Sequence, residues 1–92
     1  METRVAVVSI IIEAGSDVEK VNALLHEFAP YILGRMGIPY RAQNVNIISV
    51  AIDASNDVIS SLSGKLGMIK GISVKTIYSK TMNKTSDKPS AD

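Results

Sequence analysis

The sequence predicts an α+β fold of order βαββαβ, a four-stranded antiparallel sheet with two helices on one of its faces. Three observations predict it. The stretch at positions 5–18 recurs at positions 45–58, forty residues later. Each copy is a Val/Ile-rich run followed by apolar residues at helical spacing. Each copy is then followed by a second, weaker strand signal. In the repeat, Val5/Val45, Ser9/Ser49, Ile12/Ile52, Ala14/Ala54, Asp17/Asp57 and Val18/Val58 are identical, and Glu13 stands where Asp53 stands. A doubled strand–helix–strand unit of this size is the ferredoxin-like arrangement.

The elements follow in order. Positions 5–12 are aliphatic and β-branched, hence a buried strand. Ser16 offers a hydroxyl as helix N-cap, with Glu19 three residues on completing a capping box. Val18, Val21, Leu24, Leu25 and Phe28 give the first helix its apolar stripe, and Pro30 ends it. Positions 31–40 form a second strand, thinned by Gly34 and Gly37. Pro39 has no N–H to give a ladder, so this strand is placed at a sheet edge. Positions 41–44 turn, and positions 45–52 form the third strand. Ser55 or Asn56 caps the second helix, which carries Val58, Ile59, Leu62 and Leu66 and stops at Gly67. Positions 72–80 are the last strand. The forty-residue offset persists weakly there, in Ile32/Ile72 and Arg35/Lys75. Residues 1–80 make one domain; residues 81–92 are polar and read as a disordered tail.

Side chains alternate along a strand, so each central strand has two faces. Ala6, Val8, Ile10 and Ile12 form the better helix-facing set. Val5, Val7, Ser9 and Ile11 form the other, matched by Val45, Ile47, Ser49 and Ala51. Two helices cover only one face of such a sheet. The second face is therefore largely aliphatic and open to water, which marks an interface. The expectation is a homo-oligomer, built by sheet packing, by edge pairing of the second strand, or both. The alternative is that sheet twist and the tail cover the patch.

Composition narrows the function classes. The chain has 92 residues, 46% hydrophobic and 21% charged, with net charge +1. That charge argues against a strong non-specific hold on nucleic acid or an anionic membrane. There is no cysteine, which removes disulfides, thiolate metal sites and thiol chemistry. No stretch is long enough to span a bilayer, and a cytoplasmic location is expected. The central strands carry no aromatics for stacking bases. His26 is the single histidine and lies on the first helix, so no metal site is expected within one subunit. Ser9 and Ser49 occupy equivalent places inside aliphatic strands and are read as small residues near the local symmetry axis. Glu13 and Asp53 correspond between the two halves and offer a pair for acid–base work. Carboxylates there more often end a strand beside a helix N-terminus. No cofactor is expected.

Two segments are not explained by packing. Residues Gly34, Arg35, Met36, Gly37, Ile38, Pro39, Tyr40 and Arg41 combine strand glycines, two guanidinium groups and amphipathic side chains. They are read either as a ligand or subunit contact or as a bulged edge strand blunted against aggregation. The loop at positions 13–17 exposes Gly15 and Ser16 at a helix N-terminus, a place for a small anion such as a carboxylate.

The segments GRMGIPYR, VNIISVAIDA and SSLSGKLGMIKGISVKTIYSK resemble the small ACT-like proteins described as regulators of the iron-only hydrogenase system. The likeness covers residues 3–80. It extends in fold to ACT domains and to the C-terminal domain of nickel-responsive repressors. The resemblance implies a non-catalytic regulatory module, sensing a ligand or serving assembly. The nickel-responsive relatives bind metal through histidines and a cysteine. With no cysteine and one histidine here, nickel sensing is not expected. Nor is direct DNA binding, since their separate ribbon-helix-helix reader has no counterpart in these 92 residues. In ACT-like dimers small effectors sit near the first strand–helix loop at the subunit interface. By position this implicates Gly15, Ser16 and Asp17, with Arg35, Met36 and Gly37 from the second strand completing the pocket. The alternative is a protein–protein adaptor of the same system with no small-molecule ligand.

Overall fold

The computed structural model describes residues 2–80 and 83–84. Strand β1 (Glu2–Glu13) leads into helix α1 (Val18–Glu27), then β2 (Ile32–Tyr40), β3 (Val45–Ala54), helix α2 (Asn56–Gly67) and β4 (Ile72–Tyr78). The sheet runs β2-β3-β1-β4, every pair antiparallel, with β2 and β4 outermost. This is the ferredoxin-like α+β fold, and β2 is the edge strand its proline demands. A two-residue strand, β5 (Asn83–Lys84), pairs with Glu2 and Thr3 at the start of β1. The rest of the expected tail, residues 81–82 and 85–92, lies outside the described residues.

The core sits between the helices and one sheet face. Ala6, Val8, Ile10 and Ile12 from β1 are buried there, with Ile48, Val50, Ile52 and Ala54 from β3. Val21 and Leu25 of α1 meet them, as do Ile59, Leu62 and Leu66 of α2. Each large aliphatic side chain taken fully from water contributes roughly 1.5–3 kcal/mol, so this layer drives folding. The opposite face has no helix over it. Val5, Ile11, Met36, Ile38, Tyr40 and Ile77 are exposed, Met36 at 59% and Ile77 at 67%. Ser9 pairs directly with Ser49 at the centre of the sheet, where the internal two-fold of the repeat passes.

The helix ends depart from the sequence reading in two places. The N-cap of α1 is Asp17, whose carboxylate accepts from Lys20 N at 3.0 Å, so the cap lies one residue beyond Ser16. A carboxylate also complements the helix dipole better than a hydroxyl. Helix α2 is capped by Ser55, which accepts from Val58 N at 3.3 Å. It ends at Gly67, but Met68 continues in right-handed geometry, and the left-handed residue is Gly71, at φ +83°.

A third departure changes which way β2 points. Ile32 lies opposite Ile52, whereas Gly34 lies opposite Ala51, so Leu33 is an extra residue in a bulge. Bulges re-aim the side chains that follow them. Arg35 is opposite Val50 and Val74 is opposite Ile10, and Val50 is the repeat partner of Ile10. Arg35 therefore corresponds to Val74, not to Lys75 as the forty-residue offset suggested. Arg35, Gly37 and Pro39 face the helix side. Gly34, Met36, Ile38 and Tyr40 face the open side.

Candidate functional site

The first strand–helix loop is built by two glycines. Gly15 has φ +86°, a conformation that suits glycine, and it lets Ser16 N reach Glu13 O at 3.2 Å. Gly71, in the connection from α2 to β4, packs against this loop. Its carbonyl accepts from Glu13 N at 3.0 Å, and a Cβ there would run into Ser16 Oγ. The two loops enclose a cavity of about 440 Å³ lined by Gly15, Ser16, Asp17, Lys20, Met68, Lys70 and Gly71. Two lysines and the start of α1 give it a positive lining, and the Asp17 carboxylate is engaged with Lys20 N. Such a lining suits an anion. Lys20 and Lys70 carry no motif that marks them in the sequence. Lys20 stands in the first turn of α1, whereas Lys70 reaches this cleft only because the sheet places the two helix-flanking connections side by side.

The six residues expected to form one pocket do not share a cavity within the chain. Gly15, Ser16 and Asp17 line the loop cleft. Arg35 and Gly37 line a separate cavity of about 310 Å³ between α1 and β2. Arg35 donates to Asn22 Oδ1 at 3.1 Å there. Met36 lies opposite Ser49 on the open face.

The carboxylates Glu13 and Asp53 are at opposite ends of the sheet. Glu13 pairs with Val45 and Asp53 with Val5. The length of β1 between them is roughly 26 Å at about 3.3 Å per residue, which rules out their acting as an acid–base pair. Asp53 Oδ1 is buried with no hydrogen-bond partner among the described residues. His26 is exposed in the last turn of α1. Among the described residues no group of three or more His, Cys, Asp or Glu is placed to hold a metal ion. No helix among them is long and apolar enough to cross a membrane.

A bare four-stranded sheet with helices on one side and clefts at its loop ends defines a ferredoxin-like domain whose role is set by what its surfaces contact. The chain belongs to the TM1266-like family, whose model matches residues 4–76 and is described as "Iron-only hydrogenase system regulator, putative". It is similar to the solved structure of an uncharacterized protein, TM1266, from Thermotoga maritima, at 42% identity and a TM-score of 0.81. The match covers 85% of this chain and 99% of that one. The search of curated proteins gave no match.

Proposed function

We propose that this chain is a non-catalytic regulatory module of an iron-only hydrogenase system. It self-associates through the open face of its sheet and takes a small anionic effector in the loop cleft, at the subunit interface. The observation that carries this reading is the open face itself. Exposed Ile11, Met36, Ile38 and Ile77 lie around the Ser9–Ser49 pair on a largely apolar face without a covering helix, interrupted by Lys75 opposite Ser9. A surface of that kind on a small domain favours burial against another protein. The family description supports the regulatory role. An effector that bridges two subunits stabilises the assembled form by its differential affinity.

The test is a thermal-shift screen of the purified protein against amino acids, organic acids and nucleotides. A ligand at about 100 times its dissociation constant adds about 2.7 kcal/mol, a shift of several degrees in a domain this small. Lys20→Ala and Lys70→Ala should abolish the shift, and a hit that survives both removes the loop cleft from the proposal. A second reading, an adaptor without a small ligand, is favoured by β2. Eight of its nine residues are exposed, Leu33, Met36, Ile38 and Tyr40 among them. Saturable binding of any small molecule at the cleft excludes it.

A further inference from the structure

We propose that the groove between α1 and β2 is a second binding site, for a small organic carboxylate with a branched aliphatic body. The internal repeat provides the control. Beyond the bulge, Arg35, Gly37 and Pro39 hold the positions that Val74, Thr76 and Tyr78 hold in the second half. Under α2 those three positions carry side chains that meet the core or the helix. Val74 and Tyr78 pack on the core, and Thr76 Oγ1 donates to Ser63 Oγ at 3.4 Å. Under α1 the same three positions leave the cavity of about 310 Å³.

Each substitution opens or charges the groove. Gly37 needs neither its flexibility nor its small size for packing: its φ is not positive, and a Cβ there would meet no atom within 4 Å. A glycine inside a strand weakens it. What its absent side chain does is keep the cavity floor clear. Arg35 is turned to this side by the Leu33 bulge and held by Asn22 at 3.1 Å. No carboxylate pairs with it among the described residues. The remaining guanidinium donors match a carboxylate, which they can bind in two-point fashion. Ile12, Val18, Pro39 and Ile48 supply an apolar wall beside that charge. The volume is at the lower end for ligand pockets, so the occupant is small. The groove lies within one chain and is separate from the loop cleft, so this site stands or falls independently of assembly and of the effector proposed above.

The test titrates 4-methylpentanoate into isotope-labelled full-length protein and follows backbone amide shifts. Saturable shifts at Asn22, Arg35 and Gly37 are expected. Binding should weaken about tenfold or more for 4-methylpentanamide and for Arg35→Gln, because a charged hydrogen-bonded contact is lost. Gly37→Val should fill the groove and block binding, while Lys70→Ala leaves it unchanged. The proposal is overturned if no shift saturates, if the amide binds as well as the acid, if Arg35→Gln has no effect, or if the shifts gather at Gly15 and Lys70 instead.

Discussion

Replacing Gly71 by alanine tests the physical account of the loop cleft most sharply. Gly71 has φ +83°, and a side chain held in that region costs about 1–2 kcal/mol. A Cβ would also run into Ser16 Oγ and stand 3.3 Å from Ser16 Cβ. Ser16 can relieve the first contact by rotating, which adds roughly 1 kcal/mol if it leaves its preferred rotamer. Gly71→Ala should therefore destabilise the domain by about 2–3 kcal/mol, lowering Tm by roughly 10–20 °C at this size. Urea denaturation of four proteins separates the two contributions: wild type, Gly71→Ala, Ser16→Ala and the double variant. Ser16→Ala removes the hydroxyl in the way but not the backbone strain. The double variant should recover about 1 kcal/mol relative to additivity and no more. A loss below about 0.5 kcal/mol for Gly71→Ala would refute the strain argument. Strict additivity would refute the contact with Ser16.

Two further predictions concern folding. Asp17→Ala should cost about 1 kcal/mol in urea denaturation, since it removes the cap of α1, whereas Ser16→Ala alone should cost well under half of that. Leu62→Ala should destabilise by about 2–5 kcal/mol, because its side chain is completely buried between α2 and the sheet; a loss near zero would mean that the core is placed wrongly.

The repeat made the fold legible. Alternation along β1 assigned Ala6, Val8, Ile10 and Ile12 to the core, and all four are buried. Pro39 placed β2 at an edge, and Ser55 caps α2 as its position suggested. What stayed hidden depends on long-range register. Leu33 looks like any strand residue, yet as a bulge it reverses the faces of every residue after it in β2. That reversal turns Arg35 rather than Met36 to the helix side, against α1. Asp17 and Ser16 are both good cap residues, and local sequence does not choose between them. In the structure Asp17 takes the cap, while the Ser16 hydroxyl lies where a side chain on Gly71 would run into it, a proximity made across the fold. The same holds for the cleft. Gly15, Ser16 and Asp17 were visible as a helix start, with Lys20 in the same first turn, but Lys70 joins them only once β1 and β4 pair.

The central claim is that the open sheet face is a surface for self-association. Sedimentation equilibrium over a range of concentrations tests it directly, with wild type beside Ile11→Lys. Ile11 is exposed on that face, so the lysine leaves the core untouched. The account predicts a dimer or larger assembly for wild type and a folded monomer for Ile11→Lys, with unchanged circular dichroism. A wild-type protein that remains monomeric at the highest concentration, or an Ile11→Lys variant that assembles as well as wild type, would contradict it.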